Sequence, residues 1–188
     1  MPWHLLQDPS FLQLLVSIDQ DLAAQARACG CSCGGVLHLA VYPRKPHGLA
    51  PADRDDFVSR WSFCCSVCRK RSTSRSVRFL GRRGYVMLAV VLASARAVER
   101  MPVARELSAW LKVPRQTLGR WREWWTAQFP QTSLWRAAGA RFMPPPDALQ
   151  FPASLLERFV GQPAEALLHL LLFLAPLTTR LVAPVGGR

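Results

Sequence analysis

Six cysteines fall in two short clusters: Cys29-Gly30-Cys31-Ser32-Cys33-Gly34-Gly35 and Cys64-Cys65-Ser66-Val67-Cys68. The Cys65-x-x-Cys68 spacing lets two thiolates from one tight turn hold a single ion. Cys31-x-Cys33 is the expected partner pair, because Gly34 and Gly35 allow the chain to turn back directly after it. Thiolates of Cys31, Cys33, Cys65 and Cys68 would make a closed tetrahedral site for one structural Zn2+, with no position left for a reactive water. The spacing leaves alternatives open. Cys29 in place of Cys31, Cys64 as a ligand, His38 as a substitute, or buried cysteines with no ion are the others.

Catalytic patterns find little support. Gly30-Cys31-Ser32-Cys33-Gly34 matches GxSxG, but that elbow needs a buried strand before it and a helix after it. Here a helical pattern precedes it and a glycine follows. No histidine has Glu two residues on, as a nucleobase deaminase requires. Asp53, Asp55 and Asp56 sit together in one loop rather than apart. The chain is expected not to be an enzyme.

The 24 Lys and Arg against 12 Asp and Glu give a formal net charge of +12. That points to polyanionic partners, nucleic acid first and anionic membrane second. No acidic residue occurs between Phe57 and Val98, while Arg69, Lys70, Arg71, Arg75, Arg78, Arg82 and Arg83 follow the second cysteine cluster. Ser72, Thr73, Ser74 and Ser76 are interleaved with them, and guanidinium groups with small hydroxyls are the usual phosphate-contacting set. The start lacks the basic lead of a signal peptide and the apolar runs are short. A cytoplasmic, nucleoid-associated protein without a membrane span is expected, and clustered cysteines there read as ligands rather than disulfides.

Several elements must position these residues. Residues 1–28 carry a capped helix: Asp8-Pro9-Ser10 starts it, and Phe11, Leu14, Leu15, Ile18, Leu22 and Ala26 form its apolar face. Gln13, Ser17, Asp19, Asp21 and Gln25 form the polar one. Residues 29–83 read as a zinc ribbon with a basic extension, with strands over 36–42 and 57–63. Between them, the stiff basic segment Tyr42–Gly48 suits an arm lying along phosphates. Residues 84–130 read as a helix-turn-helix domain. Its first helix spans Tyr85–Val98, and a second follows Pro102 with Val103, Leu107, Trp110 and Leu111 on one face. A break at Lys112-Val113 precedes the third helix, where Leu118, Trp121 and Trp125 face inward. Arg115, Gln116 and Arg120 then face a DNA major groove. Residues 131–188 hold a proline-rich linker at Met143–Asp147 and leucine-rich C-terminal helices that suit a core or a partner surface. The fold class is α+β, mostly α.

These pieces, in this order, resemble a known type. Cys31-x-Cys33-Gly-Gly, Cys65-x-x-Cys68-Arg-Lys-Arg, Val77-Arg78-Phe79-Leu80-Gly81-Arg82-Arg83 and Leu118-Gly119-Arg120-Trp121 look like the zinc-ribbon plus helix-turn-helix proteins of bacterial insertion sequences. Those are similar to the N-terminal DNA-binding modules of DDE-type transposases. The resemblance covers roughly residues 29–128. It implies sequence-directed binding of double-stranded DNA as a transposition accessory factor or regulator, beside a DDE-type transposase subunit. The rival expectations are an RNA-binding zinc ribbon stacking bases on Tyr42, Trp61 and Phe63, and a zinc-dependent protein-interaction adaptor.

Overall fold

Asp8 starts the first long helix. Its carboxylate accepts from the amides of Ser10 (2.9 Å) and Phe11 (3.2 Å), with Pro9 at the first helical position, and helix α1 then runs Pro9–Cys29. A side-chain cap and a leading proline satisfy donors that the helix itself cannot. The structure, a computed structural model, describes residues 3–49, 53–80, 85–96, 109 and 111–179.

Two small antiparallel sheets follow. Strands β1 (Leu37–Leu39), β4 (Ser62–Cys65) and β5 (Arg71–Thr73) form a three-stranded sheet in the order β1-β4-β5, with Leu37 opposite Cys65 and Cys64 opposite Arg71. Strands β2 (Tyr42–Pro43) and β3 (Ser59–Arg60) pair separately. The strands are shorter than the two expected. The Tyr42–Gly48 segment is also not a free arm: its start is paired, Pro46 and Gly48 are buried, and the His47 carbonyl accepts from the Val86 amide.

The helical part is built around α2 (Met87–Arg96), buried from Met87 to Ala95 as an apolar-all-round helix must be. It packs against the turn Trp3–Leu6, against α3 (Arg115–Glu123) and against α5 (Ala153–Leu156). Helix α3 passes into one π-helical turn, Trp124–Gln128, which sets both Trp124 and Trp125 against Phe129. Helix α4 (Ser133–Ala138) stands on a Thr132 cap, and α6 (Pro163–Leu174) opens with a capping box of Gln162 and Glu165. The leucines of α6 belong to the core: Leu167, Leu170, Leu171 and Leu174 are fully buried. Burying each such side chain contributes about 1.5–3 kcal/mol.

The fold is therefore α+β and mostly helical. The four segments expected from the sequence do not each have a core. Residues of α1, α2, α3, α5 and α6 share one hydrophobic cluster. A second, small cluster of Ala23, Leu37, Phe63 and Cys65 lies under the cysteine turns. Helix α1 contributes to both, its first half to the large cluster and Ala23 and Ala26 to the small one. The second helix expected after Pro102 lies almost wholly outside the described residues, as do Arg82 and Arg83. Among the described residues no helix is long and apolar enough to cross a membrane.

Candidate metal centre

Two tight turns meet where β1 and β4 begin and end. The sulfurs of Cys31, Cys33, Cys65 and Cys68 all lie within 4.8 Å of one another. The shortest pairs are Cys33 to Cys65 at 3.4 Å and Cys31 to Cys68 at 3.6 Å. Four thiolates at about 2.3 Å from a tetrahedral ion would stand about 3.8 Å apart. A disulfide would need about 2.05 Å. The spacing therefore fits four ligands of one structural metal ion.

The backbone is folded for thiolates. The amide of Cys33 points at the Cys31 sulfur and that of Gly35 at the Cys33 sulfur, and these hydrogen bonds hold both thiols below the usual cysteine range. In the second turn the Val67 amide lies 3.4 Å from the Cys65 sulfur. The Lys70 amide pulls the Cys68 thiol down, but its neighbours Cys33, Cys65 and Cys31 outweigh it and push Cys68 up to about 11. Four like charges cannot share this space unassisted, and a divalent cation is what would let all four ionise. Gly35 is dictated by the same crowding, since a Cβ there would stand 2.5 Å from the Cys65 sulfur.

The other sulfurs are elsewhere. His38 and Cys64 face each other in the β1–β4 register, one position off the Leu37–Cys65 pair, and so point to the opposite face of the sheet. Cys64 donates toward the Arg69 carbonyl instead, and Cys29 is exposed at the end of α1. Neither they nor His38 join the cluster. With the metal bound, a thiol-alkylating reagent is expected to modify Cys29 first and to spare the four ligands; denaturation with a chelator should release all six. Peptide mass mapping reads this directly, and rapid labelling of Cys65 in the loaded protein would rule out its role as ligand.

The second turn opens onto cations. Arg69, Lys70, Arg71 and Arg75 are exposed, and the Arg71 guanidinium lies 4.9 Å from the centre of the Tyr42 ring. Arg69, Lys70 and Arg75 make no side-chain hydrogen bond or ion pair with a described residue. On α3 the expected faces are the observed ones: Leu118 and Trp121 are buried, and Arg115, Gln116 and Arg120 are exposed. The Trp121 ring meets Tyr85 edge-on at 5.2 Å, which fixes the helix on α2.

Arg78 has a different place from the one its neighbours suggest. It is 1% exposed, and its Nε donates to Asp19 Oδ2 at 2.8 Å. Its other nitrogens donate to the carbonyls of Asp56 and Ser59, and its guanidinium lies between the rings of Phe57 and Phe79. Each of its three guanidinium nitrogens is engaged inside the protein and the side chain is buried, so Arg78 presents nothing to a nucleic acid. Asp19, expected on the polar face of α1, is likewise buried. Arg60 is the second buried guanidinium. Burial, reinforced by the nearby Arg44, pushes it down to about 10, and its Nη2 donates to the carbonyls of Ser74 and Thr178.

No family model matches the chain, and no curated protein or solved structure matches it either.

Proposed function

We propose that the protein is a non-enzymatic DNA-binding protein whose four-cysteine site holds Zn2+ as the structural ion of a ribbon. The contrast between Arg78 and its neighbours carries this reading. Arg78 is paired with Asp19 inside, whereas Arg69, Lys70 and Arg75 are held at the surface without an acidic partner among the described residues. A polyanion would supply the missing charge. Duplex DNA fits better than unpaired RNA, because two of the three aromatic rings that would stack bases are occupied, with Trp61 half-buried. Phe63 is 2% exposed and Tyr42 carries Arg71 on its ring. The adaptor reading keeps little of its leucine surface, since Leu167, Leu170, Leu171 and Leu174 of α6 are core and Leu172 alone of its leucines is exposed.

In this reading the ion fixes Arg69, Lys70 and Arg71 on a rigid turn, and phosphate contacts there supply affinity. Arg115, Gln116 and Arg120 on α3 supply base choice, each good bidentate contact being worth about 1–3 kcal/mol of discrimination. We further propose, on the resemblance to insertion-sequence proteins, that this activity serves a mobile element, as an accessory factor or regulator of a DDE-type transposase. Titration of a mixed-sequence duplex against the metal-loaded protein over a salt series tests the DNA reading. Phosphate contacts by Arg69, Lys70, Arg71 and Arg75 imply a log–log slope of roughly −3.6. A slope near zero, or stronger binding to single-stranded RNA at equal salt, would remove it.

A further inference from the structure

Left-handed backbone is costly for any residue with a Cβ, and this chain normally reserves it for glycine. Among the described residues Gly30, Gly34, Gly48 and Gly161 take positive φ. The two exceptions are Arg69, at φ 56°, and Lys112, at φ 51°. The residues usually tolerated there are asparagine and aspartate, whose short side chains bond locally. Neither exception is of that kind. Both are exposed cations without a side-chain hydrogen bond or ion pair to a described residue.

The two cysteine turns show that the cation is not there for the backbone. After Cys33 the left-handed residue is Gly34, at φ 80°. After Cys68 the matching residue is Arg69. One turn thus closes with the strain-free residue and the other with an arginine that also takes positive φ. Lys112 is in the same situation before α3: Leu111 and Val113 on either side are 2% exposed, so the chain is pinned there while the lysine side chain stands out. The backbone of each is held, the Arg69 carbonyl by the Cys64 thiol and the Lys112 amide by the Ala109 carbonyl, but neither side chain bonds a described residue; strain kept at an exposed charge of this kind points to a role outside the fold.

We infer that Lys112 and Arg69 are a matched pair of phosphate-contacting residues, one on each of the two DNA-facing elements, held in left-handed turns that fix where their charges stand. This rests on the DNA-binding reading and adds Lys112 to the surface. The contacts are to phosphates and independent of base sequence.

The test uses Arg69→Gly, Lys112→Gly and the double variant of the full metal-loaded chain, with a mixed-sequence duplex as probe. Glycine suits both backbones, so Tm and metal content should be unchanged or Tm slightly raised. Affinity should fall for each variant, and the log–log salt slope should become shallower by about 0.9 per substitution and about 1.8 for the pair. Lys112→Arg should restore the slope. Arg141→Gly, at an exposed arginine of the C-terminal region, controls for loss of one charge anywhere. An unchanged slope in Lys112→Gly, or an equal change in Arg141→Gly, would overturn the inference and leave the DNA-binding reading standing. Absence of salt-dependent duplex binding by the unmodified protein would overturn both.

Discussion

Replacing Asp19 with alanine is expected to destabilise the protein by about 3–5 kcal/mol, the cost of leaving a buried guanidinium without its counter-charge. For a chain of this size that lowers Tm by roughly 6–20 °C, out of a total stability of about 5–15 kcal/mol. Three groups lose their acceptor at once: Arg78 Nε at 2.8 Å, the Val77 amide at 2.7 Å and the Ser76 hydroxyl at 2.6 Å. Ser76 is itself an acceptor for the amides of Arg78 and Phe79, and its own amide donates to the Thr178 hydroxyl. The carboxylate therefore joins α1, the 76–79 segment and the C-terminal turn Ala175–Thr178 in one network. Asp19→Asn should be nearly as damaging, since its amide group would turn a donor toward Arg78. Pairing Asp19→Ala with Arg78→Met should recover part of the loss by removing the stranded charge, but not all of it, because the Val77 amide stays unsatisfied. Thermal and urea unfolding measure all three variants. A loss under about 1 kcal/mol for Asp19→Ala would mean that water reaches Arg78 and that the network is not structural.

Asp19 also shows where the sequence was legible and where it was not. At 100° per residue it lies at the centre of the stripe formed by Leu12, Leu15, Val16 and Ala23, all of them buried. The apolar face expected from Phe11, Leu14, Leu15, Ile18, Leu22 and Ala26 is centred roughly a quarter-turn away from that stripe, so both position and residue type put Asp19 outside the expected face. The type argument fails because a partner 59 residues on neutralises it, and local periodicity carries no information about that. Arg78 fails for the same reason. It sits in a basic run, between Val77 and Phe79, which are buried too, in an irregular segment that follows neither helical nor strand period. The clustering of the four cysteines was readable because a metal-type turn is local chemistry: two cysteines close in sequence, then the residues that let the chain reverse. Choosing Cys31 over Cys29 rested on Gly34 and Gly35, and the structure places Gly35 against the Cys65 sulfur. The inward face of α3 was readable from period 3.6. The leucines of α6 were equally periodic, but what they face is settled by the chain around them, and that is the shared core.

Removing the metal is expected to melt the cysteine-centred sheet while the helical core stays folded. The small cluster of Ala23, Leu37, Phe63 and Cys65 is too little apolar surface to hold two turns and three short strands on its own. A structural zinc in comparable peptides contributes about 10–16 kcal/mol at neutral pH, far more than those side chains can. The large cluster needs no ion, because its members on α2, α3, α5 and α6 lie outside the cysteine turns. Hydrogen exchange should therefore rise on chelation, or in Cys65→Ser, over 30–39 and 61–73, with α2 and α6 still protected. Helix α1 should fray from Ala23 onward and stop at Asp19, where the carboxylate bonds and the packing of Phe11, Leu12, Leu15 and Val16 take over. Acid should do the same as a chelator, because the thiolates must be deprotonated to bind and protons displace the ion as pH falls. On the proposed DNA-binding reading, duplex affinity should fall with the sheet, since Arg69, Lys70 and Arg71 lose their fixed spacing, while Arg115, Gln116 and Arg120 stay on a folded helix and would retain weak binding. Unchanged exchange after the metal is stripped would deny the ion a structural role. Loss of protection in α2 at the same chelator concentration would show instead that the two clusters unfold as one, with α1 carrying the coupling between them.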